Sequence, residues 1–249
     1  MTESGGMIKA RISPFHEMIF KAYILRLMKR NFNGIYLVGE PFFPKEQSLL
    51  LLPNHSTWWD GFIVFILKIY LFHRPVYLMM LEEQLRRNRF FSHIGVYSIN
   101  PKSLLGNRES LQYTIELLSS QQNSIVCLFP QGELLPWSVQ PIQYKRGLEL
   151  LLKKLPPDIS VCQLAIRCEY LAAQRADIFI QLGPLQSAEE CSGRPREIWE
   201  RNHQQLLSEL SFKIASGEKG RLLLAGKRSI NESFELLRSK LGLIHERNQ

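Results

Sequence analysis

The sequence predicts an α/β fold with a mostly parallel central sheet flanked by helices, and with an amphipathic helix at the N-terminal end. Short apolar runs, most of them bounded by turn-forming residues, alternate with longer segments of helical periodicity. This alternation is typical of strand–helix–strand units, whose strands run parallel in one sheet. The 249 residues contain no internal repeat and no long linker. We therefore expect a single domain over residues 31–249, preceded by a separate segment over residues 1–30.

A basic amphipathic helix is predicted over residues 14–30. Its apolar stripe passes through Met18, Ala22 and Leu25, with Phe15 and Ile19 beside it, and several lysines and arginines occupy other positions. A helix of this kind either lies in a membrane interface or packs on the domain as an ordinary helix. The sequence leaves both interpretations open.

The remaining elements follow in chain order from apolar runs and periodicity. The predicted strands are residues 32–38, 48–52, 75–80, 95–99, 123–129, 160–166 and 177–182. The predicted helices are residues 60–72, 81–91, 107–118 with Asn107 as N-cap, 147–155, 196–215 and 230–241. The second strand is the clearest, because four consecutive leucines end at Pro53, as expected for a strand buried on both faces.

A histidine and an aspartate follow that leucine strand at a spacing of five residues. His55 lies just past the carboxyl end of the strand, where open α/β sheets bind ligands. If Asp60 lies in the first turn of the next helix, the loop can bring its carboxylate to one nitrogen of the His55 ring. This contact would make His55 a general base. The alternative is structural, because Thr57 and Asp60 also fit a capping box.

A second candidate segment is the turn Phe-Pro-Gln-Gly-Glu at residues 129–133, which also follows a buried strand. We expect it at the same edge of the sheet as His55. Gly132 would let a substrate approach the backbone, and Gln131 and Glu133 could bind a hydroxyl group. The alternative is an ordinary turn.

Basic residues form the third candidate group, because the formal net charge is +8. This charge indicates an anionic partner, which is a nucleic acid, a membrane surface or a phosphorylated molecule. Lys102, Arg108, Lys145 and Arg146 lie close to the candidate segments and could bind phosphate.

The sequence lacks the motif spacings of serine hydrolases, zinc sites and P-loop nucleotide-binding proteins. The chain has no Gly-x-Ser-x-Gly elbow and no zinc-binding pattern, and residues 220–227 miss the P-loop spacing by one residue. We therefore expect no metal. Four cysteines without a paired spacing predict buried free thiols in a reducing compartment.

The segment Asn-His-Ser-Thr-Trp-Trp-Asp at residues 54–60 resembles the His-x4-Asp motif of the phospholipid and glycerol acyltransferases, the PlsC-like lysophospholipid acyltransferase family. The turn at residues 129–133 resembles that family's Phe-Pro-Glu-Gly block. Residues 95–100 and 161–166 resemble its second and fourth blocks, and all four occur in the family's order.

The resemblance implies an acyltransferase in which His55 deprotonates an acceptor hydroxyl and Asp60 orients His55. The co-substrate would be acyl-CoA or acyl carrier protein, with no further cofactor, and the acceptor would be a lipid. We expect a cytoplasmic protein peripheral to a membrane, without nucleic acid as a partner. The N–H groups near Thr57 are the expected donors to the thioester oxygen.

The chain departs from the family pattern at three positions. Pro101 and Lys102 stand where the second block usually has an arginine for phosphate, Gln131 stands where the third block has Glu, and Gln163 aligns with a proline. These departures predict an acceptor without a terminal phosphomonoester, such as a glycosylated or neutral lipid alcohol. The alternative is that Lys102 or Arg108 replaces the missing arginine.

A second functional class stays open. A non-catalytic basic α/β module, which binds an anionic membrane or nucleic acid through its surface, would also explain the charge. In that case the His55–Asp60 pair would be structural.

Overall fold

A computed structural model describes residues 6–41, 46–120 and 123–227 of the chain. The strands in this part of the chain are β1 (Gly34–Leu37), β2 (Leu49–Pro53), β3 (Val76–Leu81), β4 (Val96–Ile99), β5 (Ile125–Cys127), β6 (Ser160–Glu169), β7 (Asp177–Leu182), β8 (Gln186–Ser187) and β9 (Arg221–Ala225). The helices are α1 (Pro14–Asn31), α2 (Asp60–Leu67), α3 (Glu82–Arg87), α4 (Leu104–Ser120), α5 (Gly147–Leu152), α6 (Ala188–Ser192) and α7 (Arg196–Ala215). A π-helical turn extends α2 over Lys68–Phe72, and a 3-10 helix covers Arg89–Ile94.

The strands form one mixed sheet in the order β4, β3, β5, β2, β6, β7, β1 and β9, and the short β8 pairs with β6. Five pairings are parallel, namely β1 with β7, β2 with β5, β2 with β6, β3 with β4 and β3 with β5. The pairings of β6 with β7, β6 with β8 and β1 with β9 are antiparallel. The prediction of a mostly parallel sheet flanked by helices is confirmed.

Helices cover both faces of the sheet, and this explains the leucine run of β2. Leu49 and Leu51 point into the cluster under α1 and α2, whereas Leu50 and Leu52 point into the cluster under α4, α5 and α7. Successive side chains of a strand alternate between faces, so a strand buried on both faces is continuously apolar. We name these sides the α2 face and the α4 face.

Helix α1 packs through a different stripe from the predicted one. Its buried residues are Phe20, Ile24 and Met28, which contact the core on the α2 face. Met18 and Ala22 of the predicted stripe are exposed instead. The helix therefore packs on the domain, and it still has apolar side chains exposed on its outer face. The boundary at residue 30 stays a prediction.

Two predicted boundaries are wrong in detail. Asn107 does not cap its helix, because α4 begins three residues earlier and the Ser103 Oγ accepts the N–H of Gly106 at 3.0 Å. The helix predicted over residues 81–91 is split into α3 and the 3-10 helix, with Asn88 between them.

Residues 220–227, which nearly match a P-loop, form the edge strand β9 with its flanking residues. The strand pairs antiparallel with β1. A Cβ at Gly220 or Gly226 would collide with backbone atoms on either side of β1, so both glycines are explained by close backbone packing. The helix predicted over residues 230–241 lies outside the described residues.

None of the helices in the described part of the chain is long and apolar enough to span a membrane.

Candidate active site

The two candidate segments lie at the same edge of the sheet, as predicted. Strand β2 is parallel to both β5 and β6, so the carboxyl ends of these strands point the same way. His55 follows β2 directly, and residues 129–133 follow β5. Asn54 fixes the end of β2 against β6, because its side chain exchanges two hydrogen bonds with the backbone of Ile166, at 2.7 and 3.1 Å.

His55 and Asp60 form a hydrogen-bonded pair. The Nδ1 of His55 lies 2.9 Å from the Oδ2 of Asp60, whose side chain is fully buried. A carboxylate only accepts hydrogen bonds, so Nδ1 carries the proton and Nε2 is left with a free lone pair. Nε2 has no hydrogen-bond partner among the described residues. The His55 ring also stacks on Phe129 with centroids 4.1 Å apart, which fixes the plane of the imidazole.

Asp60 also closes the turn that leads into α2. Its carboxylate accepts the N–H groups of Ser56 at 2.7 Å and Thr57 at 2.9 Å, and the hydroxyl of Thr57 at 2.6 Å. The catalytic and capping interpretations of this segment are therefore compatible, because one carboxylate makes both sets of contacts. Asp60 already accepts the N–H groups of Ser56 and Thr57, so these two are not free to bind the thioester oxygen. A donor among the other N–H groups near Thr57 stays a prediction.

Gln131 holds the backbone of His55 in place through a hydrogen bond. Its Oε1 accepts the backbone N–H of His55 at 2.7 Å, and the side chain is buried. The carbonyl of His55 accepts the N–H of Leu135 at 3.0 Å. The turn after β5 therefore holds the backbone of His55 on both sides. The sequence predicts that Gln131 binds a substrate hydroxyl, whereas in the structure its side-chain oxygen accepts the N–H of His55. Substrate binding by Gln131 stays a prediction.

A cavity of about 1230 Å³ lies in front of His55. Five of the predicted site residues line it, namely His55, Arg108, Gly132, Glu133 and Lys145. Asp60 and Gln131 lie behind His55, and Lys102 and Arg146 do not line the cavity. Sequence reasoning missed two lining cations, Arg87 and Lys154.

The cavity cations differ in their partners. Lys145 pairs with Glu133 and Arg87 pairs with Glu83, each at 2.6 Å. The side chain of Lys145 passes directly over Gly132, whose φ of +69° and lack of Cβ both suit this position. Arg108 and Lys154 have no ion-pair partner among the described residues.

A buried polar network connects α7 to the segment before Lys145. The Tyr144 hydroxyl donates to the Nδ1 of His203 at 2.7 Å and accepts from the Nε2 of Gln163 at 2.8 Å, while the second ring nitrogen of His203 donates to the carbonyl of Leu164 at 3.1 Å. Burial lowers the pKa of His203 to about 4, so this imidazole is neutral at physiological pH. Because the Lys145 N–H bonds the carbonyl of Pro130 at 2.8 Å, the network fixes the turn behind His55.

The cysteines are free, and burial raises the pKa of each thiol. The pKa is about 11 for Cys168 and about 12 for Cys162 and Cys191. None of these thiols is a thiolate near neutral pH, which argues against a cysteine nucleophile. The described residues contain no cluster of three or more metal-binding side chains.

Comparisons with known proteins agree with this geometry. A family model described as "Acyltransferase" matches residues 34–168, more than half of the chain. The crystal structure of the 1-acyl-sn-glycerophosphate (LPA) acyltransferase PlsC from Thermotoga maritima shares the fold, with a TM-score of 0.55 and 15% sequence identity over 81% of this chain and 79% of that chain. The Legionella pneumophila ATPase DotB aligns with a TM-score of only 0.26 and 10% identity, over 96% of this chain and 65% of that chain, and this score does not indicate a shared fold. No curated protein sequence matches the chain significantly.

Proposed function

The chain belongs to the acyltransferase family, and from this premise we propose that it transfers a fatty acyl group from acyl-CoA or acyl carrier protein to a hydroxyl of a glycerolipid or other lipid alcohol. The observation that carries the proposal is the His55–Asp60 pair, with one ring nitrogen held at 2.9 Å by a buried carboxylate. The second ring nitrogen is left as the base, in a residue that lines a large apolar cavity.

The proposed step needs no covalent enzyme intermediate. The Nε2 of His55 takes the proton from the acceptor hydroxyl while the hydroxyl oxygen attacks the thioester carbon. A carbon–oxygen bond forms and the carbon–sulfur bond breaks. The imidazolium, which Asp60 stabilises, returns the proton to the leaving thiolate. Free thiol and acylated lipid are released, and the enzyme regains its starting protonation state.

Two kinds of acceptor head group are compatible with the proposed reaction, one neutral and one phosphorylated. The chain lacks the family's usual arginine in the second block, and this favours an acceptor without a phosphomonoester. Arg108 and Lys154 at the cavity favour an anionic group instead, which could belong to the acceptor or to the phosphates of CoA. We keep the neutral lipid alcohol as our proposal. Competition between lysophosphatidate and a glycolipid alcohol for one donor decides it, because preferred acylation of lysophosphatidate that is lost in Arg108→Ala would contradict this choice.

We also propose that the protein binds peripherally to a membrane. The lipid acceptor requires access to a bilayer, and α1 supplies exposed apolar and basic side chains for contact with it.

The experiment offers purified protein a labelled acyl-CoA or acyl carrier protein together with a total lipid extract, and identifies the acylated product by mass. Wild type should produce one class of acylated lipid, and His55→Ala should lose activity by about 10²–10⁴-fold, the usual contribution of a general base.

His16→Ala is the matched control, because this histidine lies on α1 and does not line the cavity. Full turnover by His55→Ala would contradict the proposed base. Absence of turnover with every donor would favour the non-catalytic binding module.

A further inference from the structure

A second cavity, of about 250 Å³, lies on the α4 face of the sheet. Helix α5, the end of α6 and the first turn of α7 supply most of its lining residues. It shares only Leu148 with the described lining of the cavity in front of His55, so the two are distinct. The proposed reaction step uses none of the side chains of this second cavity.

The wall of the second cavity carries an excess of positive charge. Lys153, Arg194 and Arg196 line it, and Glu149 is the one acidic residue among its described lining residues. Arg196 is held on its own helix, because its Nε lies 3.2 Å from a carboxylate oxygen of Glu200. Lys153 and Arg194 have no ion-pair partner in the described part of the chain. Two cations are therefore left to neutralise an anion.

Trp199 adds an unpartnered buried donor to this wall. Its side chain lines the cavity and is 3% exposed, and its Nε1 has no hydrogen-bond partner among the described residues. A buried donor without an acceptor lowers the stability of the folded chain, and native proteins contain few such groups. An oxygen acceptor on a bound ligand would satisfy this N–H group.

Helix α7 begins at the same cavity. Its N-cap residue is Pro195, and no side chain caps its first turn. The first N–H groups of a 20-residue helix without a cap carry a partial positive charge, which attracts anions. The helix terminus therefore adds to the field of the two unpaired cations.

We propose that the second cavity binds the phosphate monoester group of a small molecule. Such a group carries a charge of about −1.5 to −2 at pH 7, which matches two unpaired cations, and its three terminal oxygens suit several donors at once. A carboxylate has one charge and two oxygens, so it matches less well. The volume of about 250 Å³ is below the roughly 300–1,000 Å³ of sites for drug-sized ligands, which indicates a small ester.

The bound group would connect two elements near the proposed active site. Lys153 directly follows α5, and Arg194 precedes α7. Helix α5 separates the two cavities, because Leu151 lines the cavity in front of His55 and Leu152 lines the second cavity. A phosphate that binds both cations would hold α5 against α7 and stabilise the wall that the two cavities share.

The first experiment titrates the protein with inorganic phosphate at constant ionic strength and measures binding by calorimetry. We expect saturable binding to wild type and weaker binding of acetate. Arg194→Gln and Trp199→Phe should each raise the Kd for phosphate by about tenfold or more, the usual effect of losing a hydrogen bond to a charged group.

Arg108→Gln is the matched control, because Arg108 is also unpaired among the described residues but lines the cavity in front of His55. It should bind phosphate as wild type does. Absence of saturable binding would overturn the proposal. Binding that is lost in Arg108→Gln and kept in Arg194→Gln would overturn it as well.

Thermal unfolding separates lost binding from lost folding. The side chain of Arg194 makes no hydrogen bond or ion pair within the described residues, so Arg194→Gln without phosphate should have the Tm of wild type. Added phosphate should raise the Tm of wild type more than that of Arg194→Gln, because a ligand that binds the folded state stabilises it. An equal rise in both proteins would contradict binding at this cavity.

A competition experiment identifies the source of the phosphate group, because CoA also carries a phosphate monoester on its ribose. Phosphate bound to wild type is challenged with CoA and with dephospho-CoA, which lacks this group. We expect neither to displace it, since α5 separates this cavity from the one that contains His55. Displacement by CoA alone would overturn the assignment to a free ester and give the site to the acyl donor. These measurements involve no acyl transfer, so failure of the proposed reaction does not affect them.

Discussion

At the scale of single residues, Asp60 contacts the proposed base and also stabilises the turn before α2. Its carboxylate contacts His55 and also accepts two backbone N–H groups and one hydroxyl in the turn before α2. A side chain with this many contacts is sensitive to replacement even by an isostere. Oδ2 makes the contact with His55 and also accepts both backbone N–H groups, whereas Oδ1 accepts only the hydroxyl of Thr57.

Asp60→Asn tests this sensitivity to replacement. The two backbone N–H groups require the amide oxygen at the position of Oδ2, so asparagine keeps an acceptor for the Nδ1–H of His55 but lacks the negative charge that stabilises the imidazolium. We expect kcat to fall by on the order of 10²–10⁴-fold in a protein that still folds. Thr57→Val is the control, because it removes one hydrogen bond to Asp60 and leaves the His55 contact in place, and it should cost less than about tenfold. Equal losses in both variants would mean that Asp60 acts only through the turn.

Gln131 provides a second residue-scale test. Gln131→Glu keeps an oxygen for the N–H of His55, as in the family pattern, and should retain most of the activity. Gln131→Leu leaves that N–H without an acceptor and should lower the free energy of unfolding by about 1–3 kcal/mol. Steady-state kinetics and urea unfolding on both variants measure the two effects. If the Leu variant matches wild type in both assays, the contact seen at 2.7 Å is unimportant.

At the scale of elements, α7 stabilises the chain next to the turn at residues 129–133, although α7 lies beyond the segment that the family model matches. Glu200 accepts the N–H of Tyr144 at 2.7 Å, Gln204 accepts the N–H of Ile142 at 3.2 Å, and His203 binds the Tyr144 hydroxyl. Three side chains spaced along one helix face therefore fix the chain just before Lys145. Gln163, which replaces the family's usual proline, completes the network from β6.

The neutral His203 makes stability depend on pH. Its pKa is about 4 in the folded protein and close to 6.5 in an unfolded chain, so between these values the unfolded chain binds more protons. The free energy of unfolding should therefore decrease as the pH falls from about 6.5 to about 4, by roughly 3 kcal/mol from this group. The double variant His203→Phe with Tyr144→Phe removes both partners and should flatten this slope in urea unfolding at a series of pH values. An unchanged slope would show that other groups cause the acid dependence.

Helix α1 is the element that carries the membrane prediction. Phe15, Met18 and Ile19 are 61%, 62% and 44% exposed, which is unusual for large apolar side chains that are neighbours on a helix. Replacing all three with serine should weaken binding to lipid vesicles by about tenfold or more, because these side chains lose apolar burial in the interface. Removing residues 1–30 is a poorer test, since it would also delete Phe20, Ile24 and Met28 from the core.

Phe212→Ser is the matched control for the α1 variant. This side chain is equally large and 75% exposed, but it lies on α7. Vesicle sedimentation with all three proteins compares them directly. An identical loss in the control, or no loss in the α1 variant, would exclude α1 as the membrane contact.

At the scale of the whole molecule, the formal net charge of +8 predicts how membrane binding responds to salt. Each Lys or Arg close to an anionic bilayer contributes about 1 kcal/mol, and salt screens this attraction over a Debye length of about 10 Å at 0.1 M. Binding should therefore be stronger to anionic than to neutral vesicles at low salt, and the difference should shrink as salt is added. A protein that ignores anionic vesicles at low salt would contradict the peripheral membrane assignment.

The sequence by itself determined the sheet and the location of the site. Apolar runs such as Leu49–Pro53 and Ile125–Cys127 are local signals, and parallel strands bring their carboxyl ends to one edge. Two short segments, residues 54–60 and 129–133, were therefore predictable as neighbours before any coordinates. The family resemblance rests on these two segments together with residues 95–100 and 161–166, because residue types and their order along the chain are also local information.

Only the tertiary structure decided which contacts these residues make. The buried face of α1, the role of Gln131 beneath His55 and the edge strand β9 each depend on a partner far away in the chain. His203 and Tyr144, for example, are 59 residues apart and meet only when α7 packs on the sheet. Periodicity reports which residues share a face, but it carries no information about which distant element covers that face.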